Sequence, residues 1–152
     1  LLLLASIGYL DAEYDSVDFD LNSDGVLNSA DEDLELPRAP ELTWRVGMNY
    51  DIPIGSWGVA TARFSYAYRD EMAWTDNNRG FILDQEIFDA GLDFYSNDGH
   101  WVFSLYGRNL ANDVKHGGDT QLPEALGPVP LGGTFSPLAK GRVYGTEVTY
   151  NF

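Results

Sequence analysis

The chain has 152 residues and a formal net charge of −15, because 24 aspartate and glutamate residues outnumber 9 lysine and arginine residues. This acidity argues against nucleic acid as a partner, since phosphates need basic side chains. The sequence has no cysteine, which excludes disulfides and thiolate metal sites, and no apolar run long enough for a transmembrane helix.

The start of the chain does not have the features of a signal peptide. Leu1 to Leu4 are too few for its apolar core, and no basic region precedes them. The chain also lacks an initiator methionine. We therefore expect a fragment that begins inside a strand.

Six segments alternate apolar with small or polar residues, and this period of two predicts β-strands with one apolar and one polar face. In the second segment, for example, Trp44, Val46 and Met48 share the apolar face. In chain order the six segments span residues 3–15, 42–52, 59–70, 88–95, 101–110 and 144–152.

The connections between these segments are long, short, medium, short and long in turn. The short ones are tight turns, with Gly55 in the first and the pair Asp98-Gly99 in the second. Short turns at one end and long loops at the other are typical of an outer-membrane barrel. A soluble β-sandwich has no reason to sort its loops in this way.

The polar faces of the predicted strands carry charged side chains. A packed sandwich core would tolerate them only if each found a partner, whereas the watery or plug-filled interior of a barrel accepts them. These residues are Arg45, Asp51, Arg63, Arg69, Asp89, Asp93, Arg108 and Glu147. We therefore predict an all-β, antiparallel transmembrane β-barrel, with a secreted β-sandwich as the alternative.

Aromatic residues make up 14% of the chain, and the last strand ends on two of them, Tyr150 and Phe152. In a barrel, such rings lie in the girdle where the apolar slab meets water. We expect these two residues to act as a membrane assembly signal.

Three pieces of the chain resemble the C-terminal barrel portion of TonB-dependent outer-membrane receptors. They are GYLDAEYD near the start, WVFSLYGRNLAND in the penultimate strand, and the closing strand KGRVYGTEVTYNF. The resemblance covers nearly all 152 residues. It implies that residues 1–152 are the last six strands of a barrel of about 22 strands, which encloses an N-terminal plug. Residues 16–37 and the Gly/Pro-rich residues 111–141 would then be extracellular loops.

This resemblance implies a receptor in the outer membrane of a Gram-negative bacterium that imports a large, scarce solute such as a ferric siderophore, vitamin or carbohydrate. Its partners would be outer-membrane lipid, the missing plug and barrel strands, and the TonB energy-coupling system. A passive porin-like channel is the runner-up, and a secreted calcium-binding β-sandwich is the third possibility. No catalytic constellation is present in the sequence, so an enzyme is not expected.

The segment DLNSDGVLNSAD has the oxygen spacing of a calcium-binding loop, with Gly25 at the sixth position where the chain must turn sharply. Its closing aspartate resembles dockerin-type loops more than signalling EF-hands. The predicted Ca²⁺ ligands are the side chains of Asp20, Asn22, Asp24, Asn28 and Asp31 and the backbone carbonyl of Val26. The alternative is a solvated acidic loop whose aspartates and asparagines serve only turn formation.

Tryptophan and histidine are two further residue types that can contact ligands. Trp74 lies in a predicted outer loop and is the best candidate for stacking on a ligand. His100 and His116 are isolated in the sequence, so we expect neither to bind a metal, and we expect His100 to be solvated beside its turn.

Overall fold

The alternating segments form the long strands of the structure, and short strands and a short helix lie in the connections between them. The structure, a computed structural model, describes residues 1–123, 125–130 and 132–152. In chain order its elements are β1 (Leu2–Tyr9), α1 (Ser29–Glu32), β2 (Leu42–Pro53), β3 (Gly58–Arg69), β4 (Met72–Ala73), β5 (Phe81–Ile82), β6 (Gln85–Ser96), β7 (Trp101–Arg108), β8 (Thr120–Gln121), β9 (Ala125–Leu126), β10 (Val129–Pro130), β11 (Thr134–Phe135) and β12 (Val143–Tyr150).

The six long strands form one antiparallel sheet in the order β1-β2-β3-β6-β7-β12, which we call the wall. Every wall strand except the two at the ends pairs with the wall strands before and after it in the chain. The ends β1 and β12 do not pair with each other, so the barrel is not closed within this chain. The prediction of an all-β antiparallel barrel fold is confirmed.

The first strand is shorter than predicted. It ends at Tyr9 instead of Asp15, although Leu10 N–H still donates to the Glu41 carbonyl (2.9 Å). On the neighbouring strand's side, Pro40 precedes Glu41 in the sequence. It has no N–H and a fixed φ and therefore suits the end of a strand. β7 likewise ends at Arg108, because Asn109 takes a left-handed conformation (φ 50°).

The connections are sorted by length, as predicted. Residues 54–57 and 97–100 form the tight turns at one end of the wall. Residues 10–41, 70–84 and 109–142 lie at the other end, and we call them the outer connections. The predicted loops 16–37 and 111–141 fall inside two of them, and residues 124 and 131 of the latter lie outside the described residues. No helix in the described part of the chain is long and apolar enough to cross a membrane.

One face of the wall is apolar, and no second layer covers it in the described part of the chain. Its rings contact each other across strands: the ring centroids of Trp44 and Tyr66 are 5.1 Å apart, and those of Phe64 and Phe88 are 4.9 Å apart. Leu105 nevertheless remains 55% exposed. Two packed sheets would bury this face, so the alternative of a β-sandwich is wrong, and an exposed apolar belt suits contact with lipid.

The other face of the wall is concave and polar. A cavity of about 930 Å³ lies along it and is lined by residues from all six wall strands. Predicted inward charges that line this cavity are Arg45, Arg63, Asp89, Arg108 and Glu147.

Candidate functional site

Arg63 and Asp93 form a strong ion pair on the inner face of the wall. Arg63 contacts both carboxylate oxygens of Asp93, with Nε 2.5 Å from Oδ2 and Nη2 2.9 Å from Oδ1. Gly91 leaves room for the arginine, because a Cβ there would lie 3.2 Å from Arg63 Nη2. Asp93 is only 5% exposed, and the two parallel contacts compensate for the loss of water around its charge.

Other charges on the inner face remain available for contacts. Asp51 accepts a hydrogen bond from Thr61 Oγ1 (2.8 Å), whereas Arg45 and Glu147 form no ion pair within the described ranges. The inner face therefore presents charges of both signs to anything that fills the interior of the barrel.

The first half of the acidic loop is organised by side chains that accept from its own backbone. Asp20 accepts from the N–H groups of Asp24 (3.2 Å) and Gly25 (2.8 Å), and Asn22 also accepts from Asp24 N–H (2.8 Å). Asp24 in turn accepts from Val26 N–H (2.8 Å). Gly25 has a φ of 87°, which an L side chain rarely adopts. The side chains at positions one, three and five of the predicted motif thus hold a tight turn.

Asp31 closes this loop and is completely buried. Its carboxylate accepts from the backbone N–H groups of Asn28 (3.1 Å), Asn22 (3.2 Å) and Leu21 (2.9 Å). These hydrogen bonds lower the pKa of Asp31 below its ordinary value, against the opposing effect of burial. The carboxylate therefore stays charged and holds the two ends of the loop together.

Asn28 has a role that its spacing did not indicate. Its Oδ1 accepts from Ala30 N–H (2.8 Å) and its Nδ2 donates to the Val26 carbonyl (3.0 Å), so it caps α1 in a reciprocal capping box with Asp31. The Asn-x-x-Asp pattern before the helix was the available signal.

The predicted calcium site has no cluster of three carboxylates in the described part of the chain. Nowhere in the described ranges do three His, Cys, Asp or Glu side chains come together in a group that could hold a metal ion. Calcium loops also use asparagine side chains and backbone carbonyl groups as ligands. Calcium binding by residues 20–31 stays a prediction.

Trp74 lies where the three outer connections meet. Its Nε1 donates to Thr120 Oγ1 (3.2 Å), the Arg38 guanidinium stands 4.3 Å from its ring centroid, and Gly118 lies against its edge. Arg38 thus covers one face of the ring. A ligand-stacking role for Trp74 stays a prediction, and the contacts show that the ring joins loops.

The predicted assembly residues lie at the end of the wall that carries the tight turns. Tyr150 packs against Trp101 (4.7 Å between centroids), and Phe152, beyond the strand and fully exposed, stands edge-on to Tyr150 at 5.1 Å. His100, expected to be only solvated, places Nδ1 2.7 Å from the Asn151 carbonyl and so attaches the chain end to the turn. Its partner is 51 positions away, which no local pattern reveals.

Comparisons with known proteins agree with this architecture. A family model described as "TonB dependent receptor-like, beta-barrel" matches residues 1–110. The crystal structure of FyuA, the ferric yersiniabactin uptake receptor of Yersinia pestis, is similar in fold over 80% of this chain, with a TM-score of 0.69 and 14% sequence identity. This similarity in fold covers 18% of the FyuA chain. No curated protein matches the sequence.

Proposed function

This chain belongs to the TonB dependent receptor-like β-barrel family, and from that premise we propose that it forms the C-terminal wall segment of an outer-membrane receptor in a Gram-negative bacterium. The receptor imports a large, scarce solute. The remaining strands close the barrel, the plug fills it, and the TonB system supplies energy through the plug. This chain contributes wall, outer loops and lipid contact.

The two-faced wall is the observation that carries this proposal. An uncovered apolar face suits lipid, and a concave face with the Arg63–Asp93 pair suits a polar body inside the barrel. A passive porin-like channel would share both faces and is the alternative. The family match favours the receptor. FyuA is an uptake receptor for ferric yersiniabactin, so ferric siderophores are the first solute class to test.

We expect the full-length protein to support energised uptake. Cells producing it should accumulate one of three labelled probes, ferric siderophore, cobalamin or maltohexaose, and a protonophore should abolish accumulation.

A variant in which Phe152 is deleted should reach the outer membrane at a much lower level, because the exposed terminal ring is the proposed assembly signal.

Phe135→Ala is the matched control, since it removes another exposed ring that lies in an outer connection. Uptake that persists unchanged with protonophore would favour the passive channel over the receptor. Equal membrane levels for the Phe152 deletion and the control would contradict the assembly role.

A second proposal concerns the acidic loop. We propose that residues 20–31 bind Ca²⁺ with the six ligands named above. The complete oxygen spacing and the left-handed Gly25 support this proposal. The cation would reduce the repulsion between carboxylates in a connection that carries no basic residue from position 11 to position 35.

Calcium titration of the full-length receptor should give a dissociation constant of about 10⁻⁴ to 10⁻³ M, as is usual for extracellular sites. Hydrogen exchange within residues 20–31 should slow as Ca²⁺ binds. Asp24→Ala should abolish this response, whereas Asp76→Ala, which removes an exposed carboxylate outside the motif, should leave it intact. If both variants respond like the unmodified protein, the loop is only a solvated acidic turn.

A further inference from the structure

Asn78 joins two outer connections, because its side chain makes the pair of backbone hydrogen bonds that a neighbouring β-strand would make. Its Oδ1 accepts from Glu35 N–H (2.7 Å), and its Nδ2 donates to the Glu35 carbonyl (2.9 Å). One side chain therefore satisfies both backbone polar groups of a residue 43 positions away. Asn78 has a φ of 50°, a conformation that asparagine tolerates better than most residues. This contact is specific in geometry, because a shorter or charged side chain cannot make both bonds.

Two more contacts attach the first outer connection to the second. Arg79 Nη2 donates to the Asn22 carbonyl (2.8 Å), inside the acidic loop. Arg38 N–H donates to the Ala73 carbonyl (2.8 Å), next to the Trp74 ring that its guanidinium covers. The first outer connection is thus held at Asn22, Glu35 and Arg38.

The same short segment is also attached to the third outer connection. Phe81 N–H donates to Asp119 Oδ2 (3.2 Å), and Asn77 Nδ2 donates to Gln121 Oε1 (3.3 Å). Gly80 permits this approach, because a Cβ there would lie 2.1 Å from the Asp119 carbonyl oxygen. Ser136 donates to the other oxygen of Asp119 and so fixes the carboxylate. We call residues 74–81 the loop junction.

We propose that the loop junction couples the three outer connections into one cooperative unit, so that the release of one connection weakens the other two, with Asn78 as its positioning residue. Each contact alone contributes little, because water competes for exposed hydrogen bonds. Contacts that share one rigid segment are lost together, so release of one connection loosens the other two. This inference rests on the proposed function only in taking these connections as the solute-facing side.

Hydrogen exchange in the full-length receptor, reconstituted in lipid nanodiscs, tests this coupling. Asn78→Ala should speed exchange at the Glu35 amide about tenfold, the effect of one lost hydrogen bond. The decisive amide is that of Phe81, which donates to Asp119, whereas the Asn78 side chain bonds to Glu35 and Thr75. If the connections move as one unit, its exchange should also speed several-fold.

Coupling between two sites is reciprocal, so a substitution in the third outer connection provides a second test. Asp119→Ala should speed exchange at Glu35, in the first connection, although the Asp119 carboxylate accepts its hydrogen bonds from Phe81 and Ser136. Asn97→Ala is the matched control, because Asn97 makes one side-chain bond to the Ser56 carbonyl at the opposite end of the wall (3.2 Å) and should leave both amides unchanged. Faster exchange confined to the residues that bond directly to each substituted side chain would overturn the proposal. Since no solute is needed, this outcome is separate from failure of uptake.

Discussion

Replacing Gly58 by alanine is expected to lower the free energy of unfolding by about 3 kcal/mol, since backbone atoms must move to admit the new methyl group. Gly58 begins β3 with a φ of 152°, and a Cβ there would lie 1.9 Å from the Tyr95 carbonyl oxygen. Neither the carbonyl nor the strand can shift without disturbing the pairing of β3 with β6. Urea unfolding of the full-length receptor in lipid vesicles, followed by tryptophan fluorescence, measures the effect.

Gly55→Ala is the matched control for this substitution. Gly55 lies in the adjacent turn with a φ of 57°, but nothing lies within 4 Å of a Cβ placed there. Gly55→Ala should therefore lower the free energy of unfolding only by the left-handed backbone strain, about 1 kcal/mol. Equal losses for the two variants would show that close approach to Tyr95 is not the cause.

Removing the guanidinium of Arg63 should lower the free energy of unfolding by about 2 kcal/mol, because it leaves the nearly buried Asp93 carboxylate without its counter-charge. The loss is smaller than for a fully buried pair, since the Arg63 side chain is 47% exposed and water can approach. The same urea unfolding assay applies, with Arg63→Ala as the variant.

Two further variants separate the ion pair from the loss of a long side chain. Arg45→Ala removes an arginine from the same face that has no ion pair in the described part of the chain, and it should cost much less. Adding Asp93→Asn to Arg63→Ala should recover part of the loss, because the unpaired charge disappears. If the double variant is no more stable than Arg63→Ala alone, charge pairing is not what stabilises this part of the wall.

The wall was predictable because strand formation leaves a periodic record in the sequence. Side chains alternate between two faces, so an apolar face at Trp44, Val46 and Met48 indicates a strand before any partner is known. Loop lengths carry similar information, since consecutive antiparallel strands place alternate connections at opposite ends. Strand ends were less predictable. The end of β1 depends on the neighbouring strand β2 and on Pro40, which lies just before β2 in the sequence.

The amino-acid sequence by itself determined the six-stranded antiparallel wall, its polar and apolar faces, and the sorting of its connections, because these follow from local periodicity and turn residues. Only the tertiary structure decided which distant groups meet: Arg63 with Asp93, Asn78 with Glu35, and Trp74 with the two connections beside it. Polar contacts between loops have no period and depend on where the strands carry each loop. The chain therefore shows its barrel architecture in its pattern, whereas the arrangement of its outer connections follows from contacts that no local pattern records.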